Sequence, residues 1–250
     1  MTPPVETSAR TLDSGANAQI QPALRRKSAL REYAEALLVA LILAFFVRTF
    51  ILQAYMIPSG SMEPTLLIGD HILVSKIAYG IRIPDSIFGL RIPGIPYGRY
   101  LVRFGSIHRG DVVVFVPPQD RDKDFIKRVI GLPGDRIQIK DGRVWLNGRP
   151  MDDPHAHLEV PSSQRSPDLP RDNFGFIDAT GSIVGPLEVP PGKLFVMGDN
   201  RDHSDDSRYW GFADQNDVEG RAVAIYWSWD SLGAGLLPIR WSRFGTLLTR

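Results

Sequence analysis

Two serine hydroxyls in a constrained turn are candidate nucleophiles. Ser59 and Ser61 flank Gly60, and Pro58 and Pro64 restrict the chain on either side. A serine nucleophile needs a base that removes its proton, and most serines in such turns only cap or turn the chain. The turn is therefore a candidate site that requires a partner.

Lys127 could supply the base. In the run FIKRVI, a two-residue strand period places Phe125, Lys127 and Val129 on one face. A lysine on an apolar face either extends its amine into solvent or is desolvated, and desolvation favours the neutral amine. General-base catalysis needs that neutral form, with a pKa lowered from about 10.4 to about 7–8. Only six lysines occur among the 29 basic residues, so few others could fill this role.

Residues 198–211, with the sequence GDNRDHSDDSRYWG, form a third polar segment. Its density of acidic and amide side chains suggests a calcium loop. The ligand spacing fails, however, because Arg201 occupies the third position and no glycine stands at the sixth. The alternation of Asp and Arg instead indicates an ion-pair network that fixes the loop. Tyr209 and Trp210 favour a packed loop over a solvated one.

Five histidines, at positions 71, 108, 155, 157 and 203, lie outside any sequence context typical of a Ser-His-Asp triad. A serine–histidine hydrolase that uses His71, His108 or His203 stays open as an alternative. The absence of cysteine excludes disulfides, thiolate zinc sites, iron–sulfur clusters and cysteine nucleophiles. We expect no metal and no other cofactor.

The composition of the 250 residues narrows the class of protein. The chain is 43% hydrophobic and 23% charged, with a net charge of +1. This apolar fraction excludes a wholly disordered chain, and the charge balance gives no reason to expect nucleic acid as a partner. Gly (23) and Pro (20) are frequent, which favours short strands and many turns over a helix bundle.

An unbroken apolar run, residues 36–47, predicts a membrane anchor over residues 32–57. As a helix, residues 36–57 would span about 33 Å, which is enough to cross a bilayer. Arg48 opposes this interpretation, because a charge at the centre of a membrane helix costs about 2.5–3.5 kcal/mol unless its side chain extends to the interface. The alternatives are a buried core helix and a cleavable signal peptide, for which no small-x-small site follows the run.

Basic residues before the anchor predict its orientation. By the positive-inside rule, residues 1–31 form a cytoplasmic tail and everything after Pro58 lies on the other side of the membrane. The cations close to the start of the anchor are Arg25, Arg26, Lys27 and Arg31.

Beyond the anchor, the hydrophobic pattern predicts a mainly β domain. Short apolar or alternating runs separated by turn signals are typical of strands, and Asp141-Gly142 between two such runs predicts a tight hairpin. Residues 150–190 are polar and proline-rich, and we interpret them as an insertion or a mobile cap. The predicted strands cover residues 71–77, 111–116, 124–130, 135–140, 143–147, 193–197 and 221–229.

These segments, in this order behind an anchor, resemble bacterial type I signal peptidases. The resemblance covers most of residues 31–245 and is interrupted by a divergent stretch, residues 137–192. Four matched blocks together are highly specific, whereas any one alone would not be. They stand here as PSGSMEPTL (58–66), GDVVVF (110–115), FIKRVIGLPGD (125–135) and MGDNRDHSDDSRYWG (197–211).

The resemblance implies a role for each candidate residue. Ser61 matches the nucleophile and Lys127 the neutral general base of a Ser–Lys dyad. Ser59 matches the hydroxyl that forms the oxyanion hole together with the Ser61 N–H, and Ser204 matches the residue that orients the lysine. Four further matches are supporting residues: an ion pair of Asp206 with Arg208, and Asp199 and Arg201 in the same scaffold. Met62 would help to bury the lysine.

The resemblance also implies a fold and a function. The catalytic β core would comprise residues 58–136 and 193–250, with residues 137–192 inserted as a second β domain, the cap. The enzyme would be a serine endopeptidase that removes N-terminal signal peptides from exported preproteins after small-x-small sites such as Ala-x-Ala. It would act at a bacterial plasma membrane beside the export translocon, with signal peptides and the lipid bilayer as partners.

Two segments, residues 81–97 and 236–248, are apolar but poor core material. We expect one or both to rest in the lipid interface, and ordinary packing between domains is the alternative. A membrane-tethered binding protein on an inactive peptidase scaffold is a further alternative. The presence of both members of the matched dyad disfavours it.

Overall fold

The computed structural model describes most of the chain after residue 28. The predicted tail before that residue, the Asp141-Gly142 turn, residues 160–185 of the predicted cap and parts of the segments 81–97 and 236–248 lie outside the described residues. The described ranges are 29–83, 86–87, 90–91, 93–94, 100–140, 143–159, 186–230 and 238–248.

Two α-helices and a series of strands make up the described chain. The helices are α1 (Ala29–Phe50) and the short α2 (Ser207–Trp210). The first eight strands are β1 (Leu52–Met56), β2 (Asp70–Ser75), β3 (Gly80–Arg82), β4 (Ser86–Ile87), β5 (Leu90–Arg91), β6 (Tyr100–Arg103), β7 (Val112–Phe115) and β8 (Phe125–Gly131). They are followed by β9 (Arg136–Lys140), β10 (Arg143–Leu146), β11 (Arg149–Pro150), β12 (Leu187–Glu188), β13 (Lys193–Met197), β14 (Ala213–Asp214), β15 (Val218–Ser228) and β16 (Thr246–Leu247).

Helix α1 is the apolar segment that the sequence predicts as an anchor. Among the described residues it is the one helix long and apolar enough to cross a membrane, with a length of about 33 Å. Arg48 lies in its last turn rather than at its centre. A cation there is favoured by the helix dipole and can reach the interface, so the charge no longer opposes a membrane span.

The prediction that the anchor extends to residue 57 is wrong, because α1 ends at Phe50 and the next residues form β1. Strand β1 pairs antiparallel with β2, in a register that runs from Leu52 opposite Ser75 to Met56 opposite His71. Apolar composition alone does not separate the end of a helix from a buried strand. The pairing decides it here, because β2 supplies the backbone hydrogen bonds that β1 requires.

The main sheet is antiparallel and carries Lys127 on β8, while the turn with Ser61 follows β1 and the loop with Ser204 follows β13. Its strand order is β1-β2-β15-β7-β8-β13-β14, and β16 also pairs with β15. A second sheet has the order β11-β10-β9-β12, and the pairs β3–β6 and β4–β5 form separate ribbons. All seven predicted strands are present, as β2, β7, β8, β9, β10, β13 and β15, and the prediction of a mainly β fold is confirmed.

Buried apolar residues connect the sheets to the candidate site. One cluster joins the segment after β1 to β2, β7 and β15, and includes Met62, Leu66 and Val112. Another joins β9 and β10 to the main sheet through residues such as Ile137 and Phe195. These clusters include Ile126 and Ile130 of β8, the strand that carries Lys127.

Candidate active site

Ser61 lies in a short 3-10 turn, Gly60–Met62, that follows β1. Its side chain is almost fully buried. The next residue, Met62, is inaccessible to solvent and packs in the core with Leu66, whose N–H donates to the Met62 carbonyl at 2.9 Å. Because its neighbour is anchored in the core, Ser61 is held in one place.

Ser59 stands at the exposed start of the same turn. Its backbone is extended, with φ −134° and ψ 155°, and its side chain makes no hydrogen bond that caps the turn. A serine in this position commonly caps the turn through its hydroxyl, and Ser59 does not do so.

Lys127 is buried in the middle of β8, between β7 and β13, with 4% of its surface exposed. Its Nζ lies 2.8 Å from Ser61 Oγ. The amine is also 5.4 Å from the centre of the Phe125 ring, as expected for two residues on one face of a strand. The strand period sets the face on which Lys127 lies, and the fold brings that face to Ser61, which is 66 residues away in the sequence.

Burial lowers the pKa of Lys127 below that of an ordinary lysine, because the ammonium form loses its hydration. The nearby carboxylates of Asp206, Asp205 and Asp199 oppose this effect, and Arg208 reinforces it. The net direction favours a neutral amine, which is the form that can accept a proton.

Gly198 is the point at which the loop after β13 meets both the nucleophile and Ser204. A Cβ atom at this position would lie well inside van der Waals contact with Ser204 Oγ and with the Ser61 carbonyl oxygen. The Gly198 N–H donates to Asp206 Oδ2 at 3.0 Å, and the Asn200 N–H donates to the Ser61 carbonyl at 3.2 Å. Glycine is needed here because nothing larger fits.

Asp206 and Arg208 form a buried, two-pronged ion pair. Arg208 Nε lies 2.8 Å from Asp206 Oδ1, and Arg208 Nη2 lies 2.9 Å from Asp206 Oδ2. Burial alone would raise the pKa of Asp206, but the Arg208 guanidinium and the Gly198 N–H outweigh it and hold that pKa below the ordinary value. Asp206 also accepts from the Arg208 N–H and so caps α2.

Asp199 pairs with Arg128, a residue that the sequence analysis did not single out. Arg128 Nε and Nη2 donate to the two Asp199 carboxylate oxygens at 2.8 and 2.7 Å, and the Thr65 hydroxyl donates to Asp199 Oδ2 at 2.6 Å. These contacts tie β8, the nucleophile turn and the loop after β13 together. The available signal was a charge inside an apolar strand, which must find a partner when it is buried.

Arg201 does not pair within its own loop. Its guanidinium forms an ion pair with Asp153, which belongs to the predicted cap, and its Nε donates to the Gly198 carbonyl at 3.0 Å. No local pattern in the sequence indicates that Asp153 reaches this loop.

Ser204 is buried beside Gly198. Its hydroxyl is close enough to the Asp206 carboxylate to help lower that pKa, but no group among the described residues makes a well-aligned hydrogen bond with it. Its role in orienting the lysine stays a prediction.

The histidines offered as alternative bases each have other neighbours. His71 packs edge-on against Tyr226 with ring centres 5.9 Å apart, His108 Nδ1 lies 3.8 Å from Asp111, and His203 Nε2 lies 3.1 Å from Glu159. Within the described part of the chain, no group of three His, Asp or Glu side chains is arranged to hold a metal ion.

Comparison with known proteins places the chain in a family. The family model described as signal peptidase, peptidase S26, matches residues 30–227. The signal peptidase I of Pseudomonas fluorescens is 34% identical in an alignment 244 residues long that covers 90% of this chain and 81% of that protein. The signal peptidase I of Mycobacterium tuberculosis is 35% identical in an alignment 213 residues long that covers 78% of this chain and 68% of that protein. A solved signal peptidase I from Enterococcus faecalis is 34% identical, with a TM-score of 0.34 over 46% of this chain and 96% of that one.

These relatives define the class of the protein as a serine endopeptidase. The chain belongs to the signal peptidase family, peptidase S26. Its activity is therefore the removal of signal peptides, and its substrates are preproteins that carry them. The predicted family and enzyme class are confirmed, and the apolar helix α1 is consistent with a membrane-anchored protein.

Proposed function

We propose that Ser61 and Lys127 form the catalytic dyad of this signal peptidase. The observation that carries the proposal is the 2.8 Å contact between a buried lysine amine and a buried serine hydroxyl. Burial that lowers the pKa of Lys127 supports its role as the base.

In this mechanism the neutral Lys127 amine takes the hydroxyl proton while Ser61 Oγ attacks the scissile carbonyl carbon. The carbonyl electron pair moves to oxygen and gives a tetrahedral oxyanion. The Lys127 ammonium then returns the proton to the leaving nitrogen as the C–N bond breaks, which leaves an acyl-enzyme ester. Water, deprotonated by Lys127, hydrolyses this ester, and Ser61 regains its proton.

The oxyanion would be bound by the Ser59 hydroxyl and the Ser61 N–H. Such donors are typically worth about 3–4 kcal/mol of barrier. The exposed Ser59 side chain, which does not cap its turn, supports this assignment. Ser204 would orient Lys127. The loop that carries Ser204 would be held by the Asp206–Arg208 pair and by Asp199 and Arg201.

Substrates would be cut after small-x-small sites such as Ala-x-Ala. An extended peptide that adds to a strand edge places alternate side chains toward the enzyme, and shallow subsites would admit only small ones. Replacement of either small residue of the substrate by a large one should abolish cleavage. A preprotein cut equally well with Phe at both positions would contradict this preference.

The protein would sit in a bacterial plasma membrane with its N-terminus in the cytoplasm, its catalytic domain outside and the export translocon nearby. The basic residues before α1 support this orientation. Because the chain has no cysteine, single cysteines report it cleanly. An impermeant maleimide added to intact cells should label Asp120→Cys and spare Ser8→Cys, and the reverse pattern would overturn the orientation.

Described residues near the C-terminus support the proposed lipid contact of residues 236–248. Trp241 and Leu247 are 65% and 70% exposed, and the Trp241 ring stacks on Phe244 with centres 5.2 Å apart. Aromatic side chains of this kind favour the membrane interface. Brominated lipids should quench the fluorescence of the wild-type chain in vesicles more than that of Trp241→Phe, and equal quenching would contradict the contact.

The dyad is tested by cleavage of an Ala-x-Ala preprotein by the full chain. Ser61→Ala and Lys127→Ala should each lose activity, by about 10⁴-fold or more, whereas His203→Ala should stay within about tenfold of the wild type. Loss of activity in a histidine variant together with an active Lys127→Ala would replace the dyad with a serine–histidine pair.

A further inference from the structure

Residues 153–159 of the predicted cap lie directly against the loop that follows β13. The His157 N–H donates to the Asp199 carbonyl at 2.8 Å, and the Arg201 N–H donates to the His157 carbonyl at 2.9 Å. The two hydrogen bonds form a parallel bridge between His157 and Asn200. The cap segment therefore pairs, backbone to backbone, with a loop that belongs to the catalytic site. We call residues 153–159 the clasp.

The first residue of the clasp is fixed by a buried charge. The Asp153 carboxylate pairs with the Arg201 guanidinium, and their side chains are 9% and 1% exposed. The same guanidinium donates from Nε to the Gly198 carbonyl at 3.0 Å. Asp153 thus determines where a buried arginine points, and that arginine holds a peptide group of the active site.

The last residue of the clasp makes a second set of polar contacts. The Glu159 N–H donates to Asp202 Oδ2 at 2.7 Å, and Glu159 Oε2 lies 3.1 Å from His203 Nε2. Asn200 Nδ2 donates to Glu159 Oε1 at a longer 3.4 Å. The clasp is therefore attached to the loop at both of its ends and in its middle.

The attachments at the Gly198 and Asp199 carbonyls lie beside backbone groups that contact the nucleophile. The Asn200 N–H donates to the Ser61 carbonyl at 3.2 Å, and Gly198 fits tightly between that carbonyl and Ser204. A displacement of the loop would therefore move the wall that encloses Ser61 and Lys127. Small displacements of a catalytic group have large effects on rate.

We infer that the clasp positions the catalytic loop, with Asp153 as a positioning residue that acts through Arg201 on Gly198. The inference rests on the proposed Ser61–Lys127 dyad. The clasp would then affect the rate of catalysis by positioning the loop, in addition to its contribution to packing.

Replacement of Asp153 by Asn tests this inference in the full-length enzyme. The matched control is Asp152→Asn, which removes the same charge from an exposed neighbour. For Asp153→Asn we expect kcat to fall about 10- to 100-fold with KM changed less than about twofold. Asp153→Glu, which keeps the carboxylate, should recover part of the loss. Asp152→Asn should behave as the wild type does.

The pH dependence of kcat/KM separates positioning from folding. A loosened loop admits water to Lys127 and weakens the desolvation that lowers its pKa, so the acid limb should move to higher pH in Asp153→Asn. A purely structural role would lower activity in proportion to the folded fraction and leave the limb in place. The charged groups that act on Lys127, all unchanged by this substitution, are Asp206, Asp205, Arg208 and Asp199.

Wild-type kcat, or an unmoved acid limb, in folded Asp153→Asn would overturn the inference. If that variant does not fold, Glu159→Gln at the exposed end of the clasp decides the question, with an expected loss in kcat of about fivefold and the same direction of shift. An unchanged Glu159→Gln would then overturn it. Ser61→Ala in the same assay keeps the two proposals apart, because activity in that variant contradicts the dyad whatever Asp153 does.

Discussion

Lys123 and Arg128, five residues apart in the sequence, form ion pairs of nearly the same length in very different surroundings. Lys123 Nζ lies 2.6 Å from Asp120 in the turn before β8, with side chains 70% and 32% exposed. Arg128 Nη2 lies 2.7 Å from Asp199 beside the dyad, with side chains 1% and 0% exposed. Water competes with the first pair, whereas the second pair is shielded from bulk solvent. Burial, rather than distance, therefore decides what each pair contributes.

The same difference between buried and exposed charges explains the lowered pKa of Lys127. Charges around Lys127 act strongly because little solvent lies between them, and burial can still lower the pKa of the amine against several carboxylates. At the surface, the Asp120 carboxylate raises the pKa of Lys123, and desolvation is too weak there to reverse that effect. A lysine can become a base in this fold only in the buried region.

The largest expected effect comes from breaking the buried pair. Arg128→Met leaves Asp199 buried without its cation and should lower the free energy of unfolding by about 3–5 kcal/mol. Urea denaturation of the full chain in detergent measures the change. The double variant Arg128→Met/Asp199→Leu removes both charges and should lose less than the single variant. An equal or larger loss in the double variant would show that the charge itself is not the cause.

Gly198→Ala should have the next largest effect, on activity. The added methyl group collides with Ser204 and with the Ser61 carbonyl, so kcat/KM for a preprotein should fall at least about 100-fold. Gly192→Ala is the control for the collision: a Cβ there strains the backbone, because φ is 75°, but meets no atom within 4 Å, so the loss in kcat/KM should be much smaller than in Gly198→Ala. Wild-type activity in Gly198→Ala would mean that the loop is not held against the nucleophile as described.

Acid should weaken the Asp206–Arg208 pair. Asp206 has a folded-state pKa below its unfolded value of about 3.9, so its stabilising effect is present above about pH 5 and is lost as the pH falls through the folded pKa. The difference in unfolding free energy between wild type and Asp206→Asn should therefore shrink at low pH. A difference that stays constant with pH would contradict the ionic origin.

The sequence predicted those parts of the molecule that have a local signal. The two-residue period of β8 placed Lys127 on the face of Phe125, and the predicted strands 135–140 and 143–147 pair antiparallel as β9 and β10. The end of α1 was mistaken because the apolar run continues into β1, where cross-strand pairing determines the structure.

The partners of the buried charges could not be predicted for a different reason. Arg128 and Asp199 are 71 residues apart, and Asp153 and Arg201 are 48 apart. Such pairs depend on how distant segments meet in the fold. Arg201, for example, has several aspartates in its own loop that by sequence are equally suitable partners. Sequence pattern shows that a buried charge needs a partner, but the fold selects which one.

The exposed pair should show the smallest effect. Lys123→Ala should leave the midpoint of urea unfolding unchanged within experimental error, because solvent replaces the lost contact. The comparison with Arg128→Met in the same buffer is the informative measurement. A large destabilisation by Lys123→Ala would remove the distinction between the two regions.

The central claim, that Lys127 is a neutral base, is tested most directly by NMR titration of the full chain labelled with ¹³C at the lysine ε-carbons. One of the six lysine signals should titrate well below the ordinary value of about 10.4, and that signal should disappear in Lys127→Ala. If the signal that disappears in Lys127→Ala titrates with the other lysines, Lys127 is protonated at neutral pH and the proposed mechanism is wrong.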